Sequence, residues 1–274
     1  MLQRVRSALI ALPFVLSTLV VPTVWPLAIL CSIVVLLGLF ELSEISSSMG
    51  VLELGQRFLG VMILALLPVF MVWMLGPFPN AFVVNSSLIE LWALFGLGLF
   101  GVVQMIRGKK TLLYHKLAHF WVVAPFSLLV VTYQALGPLH GRFIDKNPVF
   151  LILFPLWIGD SVAYFVGKKF GANPLWEKIS PKKTWEGSTA HFIASILTAV
   201  VLNMIIQIEP WKAILCGVFA GTFGQLGDLL ESALKRSAQL KDSGTFLPGH
   251  GGILDRVDSL LLTIMPSATL LLLS

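Results

Sequence analysis

Nine apolar segments, roughly 8–22, 26–41, 58–76, 88–106, 117–137, 149–167, 189–207, 211–230 and 260–273, account for most of this chain. In lipid the backbone finds no water to bond with. A run of about 20 apolar residues must therefore fold as a helix that satisfies its own N–H and C=O groups. The segments predict an all-α, polytopic membrane helical bundle of about nine transmembrane helices. The first two are short and are separated by Pro22, Trp25 and Pro26, so they read equally as a hairpin or as two tilted spans. Only 12% of the residues are charged, about half the fraction usual in a soluble domain, which excludes a water-soluble globule. No repeat, low-complexity tract or linker interrupts the series. The expectation is one integral membrane domain over 1–274, with N-terminal helices in 1–148 and the catalytic helices and polar loops in 149–274.

Charge sets the orientation. With nine spans, sixteen of the nineteen Lys and Arg fall on the side of the N-terminus, and only Arg142, Lys146 and Lys212 fall on the other. That asymmetry follows the positive-inside rule and predicts a cytoplasmic N-terminus. It also explains the net charge of +5 without a nucleic-acid partner. The opening stretch, with Arg4 and Arg6 before an apolar run, lacks a small-x-small cleavage site and reads as a retained helix. Cys31 and Cys216 lie in apolar runs without paired spacing and read as small core residues.

The chemistry-bearing residues concentrate in two stretches that this topology places in the cytoplasm. In 227–259, Asp228 and Glu231 are three apart at the end of one apolar segment, and Asp255 and Asp258 repeat the spacing at the start of the next. On a helix that spacing puts both carboxylates on one face. Two helix ends could thus bring four acids to one point, which repel unless a cation sits among them, and hard oxygen donors suit Mg²⁺ or Mn²⁺. The plainer alternative is a set of surface acids paired with Lys235, Arg236 and Arg256; the neighbouring apolar spans, where ionised groups are costly, argue against it. Between the acids lie Lys235, Arg236, Lys241 and Arg256, each equally readable as a membrane-surface anchor. Gly249, Gly251 and Gly252 in "PGHGG" permit a turn that could cradle phosphate.

The second stretch contains "SPKKTWEG", in which Pro181 stiffens a turn and Lys182, Lys183 and Thr184 offer phosphate contacts. Asp160, well inside an apolar run, is a functional candidate by position, with a structural hydrogen-bonded aspartate as the alternative. His115 and His119 are four apart, but Lys116 stands where a zinc protease has Glu, so they read as interfacial histidines. His140 and His191 carry no signal. No G-x-S-x-G and no Walker A sequence is present.

The run from Ser232 to Asp258 resembles the signature of the phosphatidate cytidylyltransferases (CDP-diacylglycerol synthases). Ser232, Lys235, Arg236, Lys241, Asp242, Gly244, Leu247, Pro248, His250, Gly251, Gly252, Asp255, Arg256 and Asp258 stand in register with it. "SPKKTWEG" and the "GDS" around Asp160 also look like this family. The resemblance covers about the C-terminal 45% of the chain at motif level. It implies cytidylyl transfer from CTP to phosphatidate, giving CDP-diacylglycerol and pyrophosphate in phospholipid biosynthesis. It also implies Mg²⁺ (or Mn²⁺) with a second cation such as K⁺, a homodimer, and a bacterial inner membrane with the active site facing the cytoplasm.

By that carry-over Asp228 and Asp255 ligate metal, with Glu231 and Asp258 beside them. Lys235, Arg236, Lys241 and Arg256 serve phosphates and pyrophosphate, backed by Gly249, Gly251 and Gly252, while Asp242 and His250 orient partners. Ser180, Lys182, Lys183, Thr184, Glu186 and Asp160 join the substrate site. Two rivals differ in outcome. Another CTP-dependent lipid enzyme, polyprenol kinase-like or an archaeal-type lipid cytidylyltransferase, would differ in product. A transporter would show inverted repeats or paired broken helices, and the sequence shows none.

Overall fold

The computed structural model of the protein describes residues 13, 15–19, 21, 23–51, 58–76, 81–136, 147–244 and 251–273. Its elements in chain order are α1 (Trp25–Ser48), α2 (Phe58–Ala65), α3 (Leu67–Leu75), α4 (Ala81–Ile106), α5 (Leu112–Leu136), α6 (Phe150–Phe170), β1 (Pro174–Trp176), β2 (Ser180–Thr184), α7 (Trp185–Ile206), α8 (Pro210–Phe219), α9 (Gln225–Ser237) and α10 (Leu254–Leu272). A five-residue π turn, Ala220–Gly224, joins α8 to α9. The fold is helical, as the apolar runs predict, and among the described residues six helical stretches are long and apolar enough to cross a membrane: α1, α4 from Val83 on, α5, α6, α7 and the continuous run Pro210–Ser237. This is an integral membrane protein. The run 58–76 is helical in two pieces, because Pro68 opens a new helix after the break at Leu66. Of the predicted first segment, 8–22, residues 13, 15–19 and 21 are described and the others lie outside the described residues.

The chain divides into two units: residues 1–144 with 234–257, and 145–233 with 258–274. The signature stretch 234–257 therefore goes with the N-terminal helices. In the first unit α5 is the central element, packed by α1, α3 and α4. Trp121, Val122, Leu128 and Val130 have no exposed surface. His115 and His119 are buried as well, which corrects the interfacial reading. His119 meets Ser43 Oγ at 3.1 Å and the His115 carbonyl of its own helix at 2.8 Å, so the His119 ring fastens α5 to α1. Cys31 and Cys216 are buried and unpaired.

In the second unit α6, α7 and α8 pack on one another. Glycines set the distance of approach: a Cβ on Gly217 would lie 2.7 Å from Ile196 Cα, and one on Gly221 3.0 Å from Phe192 Cα. The outer face of α7 shows Ile193, Leu197, Val201 and Met204, an exposed apolar stripe suited to lipid contact. The second polar stretch, predicted as a loop, is an antiparallel hairpin pairing Pro174 with Thr184 and Trp176 with Ser180. Pro181 thus stands in a strand and not in the turn.

Candidate active site

In the second unit the hairpin, α6, α7, the part of α9 up to residue 233 and Asp258 of α10 carry predicted residues. Strand β2 is Ser180–Thr184 and runs directly into α7, whose first free N–H groups need partners. Thr184 supplies one, its Oγ1 accepting from Gly187 N at 3.2 Å as an N-cap. Glu186 in the same first turn accepts from Asn173 Nδ2 at 2.8 Å and ties the hairpin's start to the helix. Ser180 is half-buried and Lys182 exposed. Lys183 Nζ lies 2.5 Å from Asp228 Oδ2.

Asp228 sits in the first turn of α9, just after the π turn. Gly227 beside it has no room for a side chain: a Cβ would lie 2.5 Å from the Asp258 carbonyl oxygen. This close approach puts Asp228 and Asp258 within electrostatic reach. Burial raises the Asp258 carboxyl above the usual carboxylate range, and the charges of Asp228 and Asp160 raise it further, against Lys183 and the Ser259 N–H. Asp160 on α6 meets His191 Nε2 at 3.1 Å. The ring continues to Ser195 Oγ at 3.4 Å, and that hydroxyl donates to the Pro155 carbonyl at 2.9 Å. Gly159 makes space for this chain of contacts, since a Cβ there would come 2.5 Å from Ser195 Oγ. His191 is thus an electrostatic partner that the sequence reading did not find.

In the first unit Asp255 opens α10 and pairs with Lys235 through Oδ1. Its Oδ2 accepts from Gly252 N at 2.8 Å, Ser243 N at 2.9 Å and Ser243 Oγ at 3.0 Å. Burial alone would raise this carboxyl, but Lys235 and the backbone donors of Gly252 and Ser243 hold it below its ordinary value. Gly251 has φ +80°, and a Cβ there would meet Asp255 Oδ2 at 2.5 Å. The glycine turn therefore has an internal reason: it lets the backbone fold closely over this carboxylate. Arg236 donates to the Leu240 carbonyl at 3.0 Å, and Lys241, Asp242 and Arg256 are exposed. Gly249 and His250 lie outside the described residues.

The four acids behave differently. Asp228 and Asp258 oppose each other in the second unit, Asp255 is held by donors of the first, and Glu231 is fully buried. Among the described residues no three Asp, Glu, His or Cys side chains gather closely enough to cage a metal by themselves. The donor set still fits a hard cation. Asp228 and Asp258 are oxygen donors whose repulsion needs a positive charge, and the ammonium of Lys183 stands in for one.

Comparison with known proteins places this arrangement. The model of the cytidylyltransferase family matches residues 2–274. The phosphatidate cytidylyltransferase of Bacillus subtilis (strain 168) is 48% identical over 120 residues, 43% of this chain and 44% of that protein. The phosphatidate cytidylyltransferase of Staphylococcus epidermidis (strain ATCC 12228 / FDA PCI 1200) is 40% identical over 154 residues, 54% of this chain and 59% of that protein. With these two relatives the chain shares about half of their length. The phosphatidate cytidylyltransferase of Haemophilus influenzae is 29% identical over 280 residues, covering 94% of each chain. With a match running nearly end to end, the chain belongs to the cytidylyltransferase family.

Proposed function

We propose that this protein transfers the cytidylyl group of CTP to phosphatidate, releasing pyrophosphate and leaving CDP-diacylglycerol in the membrane. A phosphate oxygen of phosphatidate attacks the α-phosphorus of CTP, and the bond from that phosphorus to the pyrophosphate oxygen breaks. The nucleophile is already ionised, so no strong general base is needed. Both substrates are polyanions, and offsetting their repulsion is the main task. The observation that carries the reading is the Asp228–Asp258 pair with Lys183 on Asp228, beside a basic hairpin strand.

The residues divide the work. Lys182 and Lys183 attract phosphate, with Ser180 and Thr184 as hydroxyl partners. Lys235, Arg236, Lys241 and Arg256 serve the phosphates and the leaving pyrophosphate, and Asp242 and His250 orient them. Asp228 and Asp258 fit Mg²⁺ or Mn²⁺, and a metal role is proposed separately for Asp255 and Glu231, with K⁺ as a second cation. The bound cation would neutralise phosphate charge. The proposed topology has nine spans and a cytoplasmic N-terminus, in a bacterial inner membrane, as a homodimer. The acyl chains reach the headgroup site from the lipid while CTP arrives from the cytosol.

The test uses purified membranes with labelled CTP, dioleoyl phosphatidate and Mg²⁺, with and without EDTA. Phosphatidate-dependent, EDTA-sensitive label in the organic phase is expected. Phosphorylated lipid with free CDP would mean a kinase instead, and no label from folded protein would mean another substrate.

A further inference from the structure

Glu41 lies in the C-terminal third of α1, where the apolar run gives way to Ser43, Glu44 and Ser46, and is 5% exposed. A carboxyl group in that position is costly and is kept only where it has partners. Its partners lie some two hundred residues along the chain. Oε1 accepts from Ile253 N at 2.7 Å, and Oε2 accepts from Leu254 N at 2.8 Å and faces Ser243 Oγ at 2.8 Å. Ile253 and Leu254 stand at the start of α10, where N–H groups have no helical acceptor. A carboxyl group there satisfies them and favours the helix dipole.

Two further features connect this group to the signature. The Ser243 hydroxyl lies between two carboxyls, 2.8 Å from Glu41 Oε2 and 3.0 Å from Asp255 Oδ2. The small residues of the signature also face Glu41. A Cβ on Gly244 would come 2.9 Å from Oε1, and one on Gly252 would come 2.3 Å from Oε2. Backbone, hydroxyl and glycines are thus all arranged around one carboxyl from a distant helix.

We infer that Glu41 is a positioning residue for the reaction: through Ser243 and the Ile253 and Leu254 amides it fixes the first turn of α10, so that Asp255 stays on Lys235. It touches no substrate. The effect on turnover rests on the proposed cytidylyl transfer, whereas the anchoring of α10 does not. Glu44, exposed one turn along the same helix, is the internal control.

The full chain is purified as wild type, Glu41→Gln, Ser243→Ala, the double variant and Glu44→Gln. Two quantities are read: amide hydrogen exchange over residues 251–260, and kcat and KM for CTP. A glutamine amide turned toward two N–H donors leaves one unsatisfied, which corresponds to roughly a 10- to 100-fold change in local opening. Glu41→Gln should therefore speed exchange at Ile253 and Leu254 by about that factor and leave α4 and α5 unchanged. It should lower kcat by about 30-fold with KM for CTP within about 3-fold. Ser243→Ala should act the same way but less, the double variant should lose no more than Glu41→Gln alone, and Glu44→Gln should match wild type.

Wild-type exchange in Glu41→Gln overturns the inference. So does wild-type kcat per folded molecule, or losses that multiply in the double variant. If Glu41→Gln does not fold, Ser243→Ala decides by the same readings. If the wild-type protein performs no cytidylyl transfer, the activity reading fails and the exchange result alone decides whether Glu41 anchors α10.

Discussion

Asp255 accepts hydrogen bonds from Gly252 N and from the backbone N–H and hydroxyl of Ser243 and pairs with Lys235, and its side chain is 9% exposed. Asp228 has one cationic partner, Lys183, a 3.3 Å contact from Ser232 Oγ, and a side chain 30% exposed. The same functional group serves two ends. One carboxylate organises the signature turn around itself; the other is left accessible, close to a second acid whose charge opposes it. A carboxylate of the first kind loses its surroundings when removed. One of the second kind is partly exposed beside a second carboxyl, where a ligand or a cation can reach it.

Removing each acid sharpens this contrast most. Asp228→Ala should reduce cytidylyl transfer by about 10³-fold or more with little change in detergent melting temperature. Asp255→Ala should lose both, because the ion pair with Lys235 is broken and the Gly252 and Ser243 donors lose their acceptor, a loss of about 3 kcal/mol or more for a broken buried pair. A melting curve of Asp255→Ala that matches wild type would erase the distinction. Next, Lys183→Ala removes the charge that offsets Asp228 and Asp258. Activity should fall by about 10- to 100-fold, and the Mg²⁺ concentration for half-maximal rate should shift. No shift would separate Lys183 from the acids. Gly227→Ala forces the backbone at the Asp258 carbonyl to move, so a smaller loss, about 10-fold in kcat, is expected together with about 1–3 kcal/mol of stability. The smallest effect belongs to Glu186→Gln, which keeps an acceptor for Asn173 but loses its charge; the rate should fall by less than about 3-fold and melting should stay at wild type.

The sequence displayed one kind of information well. Apolar length gave the helices, and the Ser232–Asp258 run gave most of the residues that the structure places around Asp255 and Asp228. Its limits have physical causes. The helix-face argument could pair Asp228 with Glu231 by spacing, but burial then separated a half-exposed acid from a fully buried one. The hairpin was hidden because two short strands need no long alternating pattern. His191 carried no signal because its meaning comes from Asp160, 31 residues away. Glu41 carried no such signal: it closes the apolar segment 26–41, with Ser43, Glu44 and Ser46 after it, and its burial comes from donors more than 200 residues away.

The π turn at Ala220–Gly224 has a consequence for how this protein can vary. An α-helix advances about 100° per residue, and a π turn holds one residue more than an α turn. The Gln225 side chain keeps the offset, its Nε2 donating to the Gly221 carbonyl at 2.6 Å and to the Ser188 carbonyl at 3.1 Å. The turn thus works as a phase shifter placed just upstream of Asp228. Rewinding 220–224 as regular α-helix with every residue kept would swing α9 by about a quarter-turn relative to α8. A helix that tolerates many apolar exchanges on its lipid face is, at this point, intolerant of a change in winding.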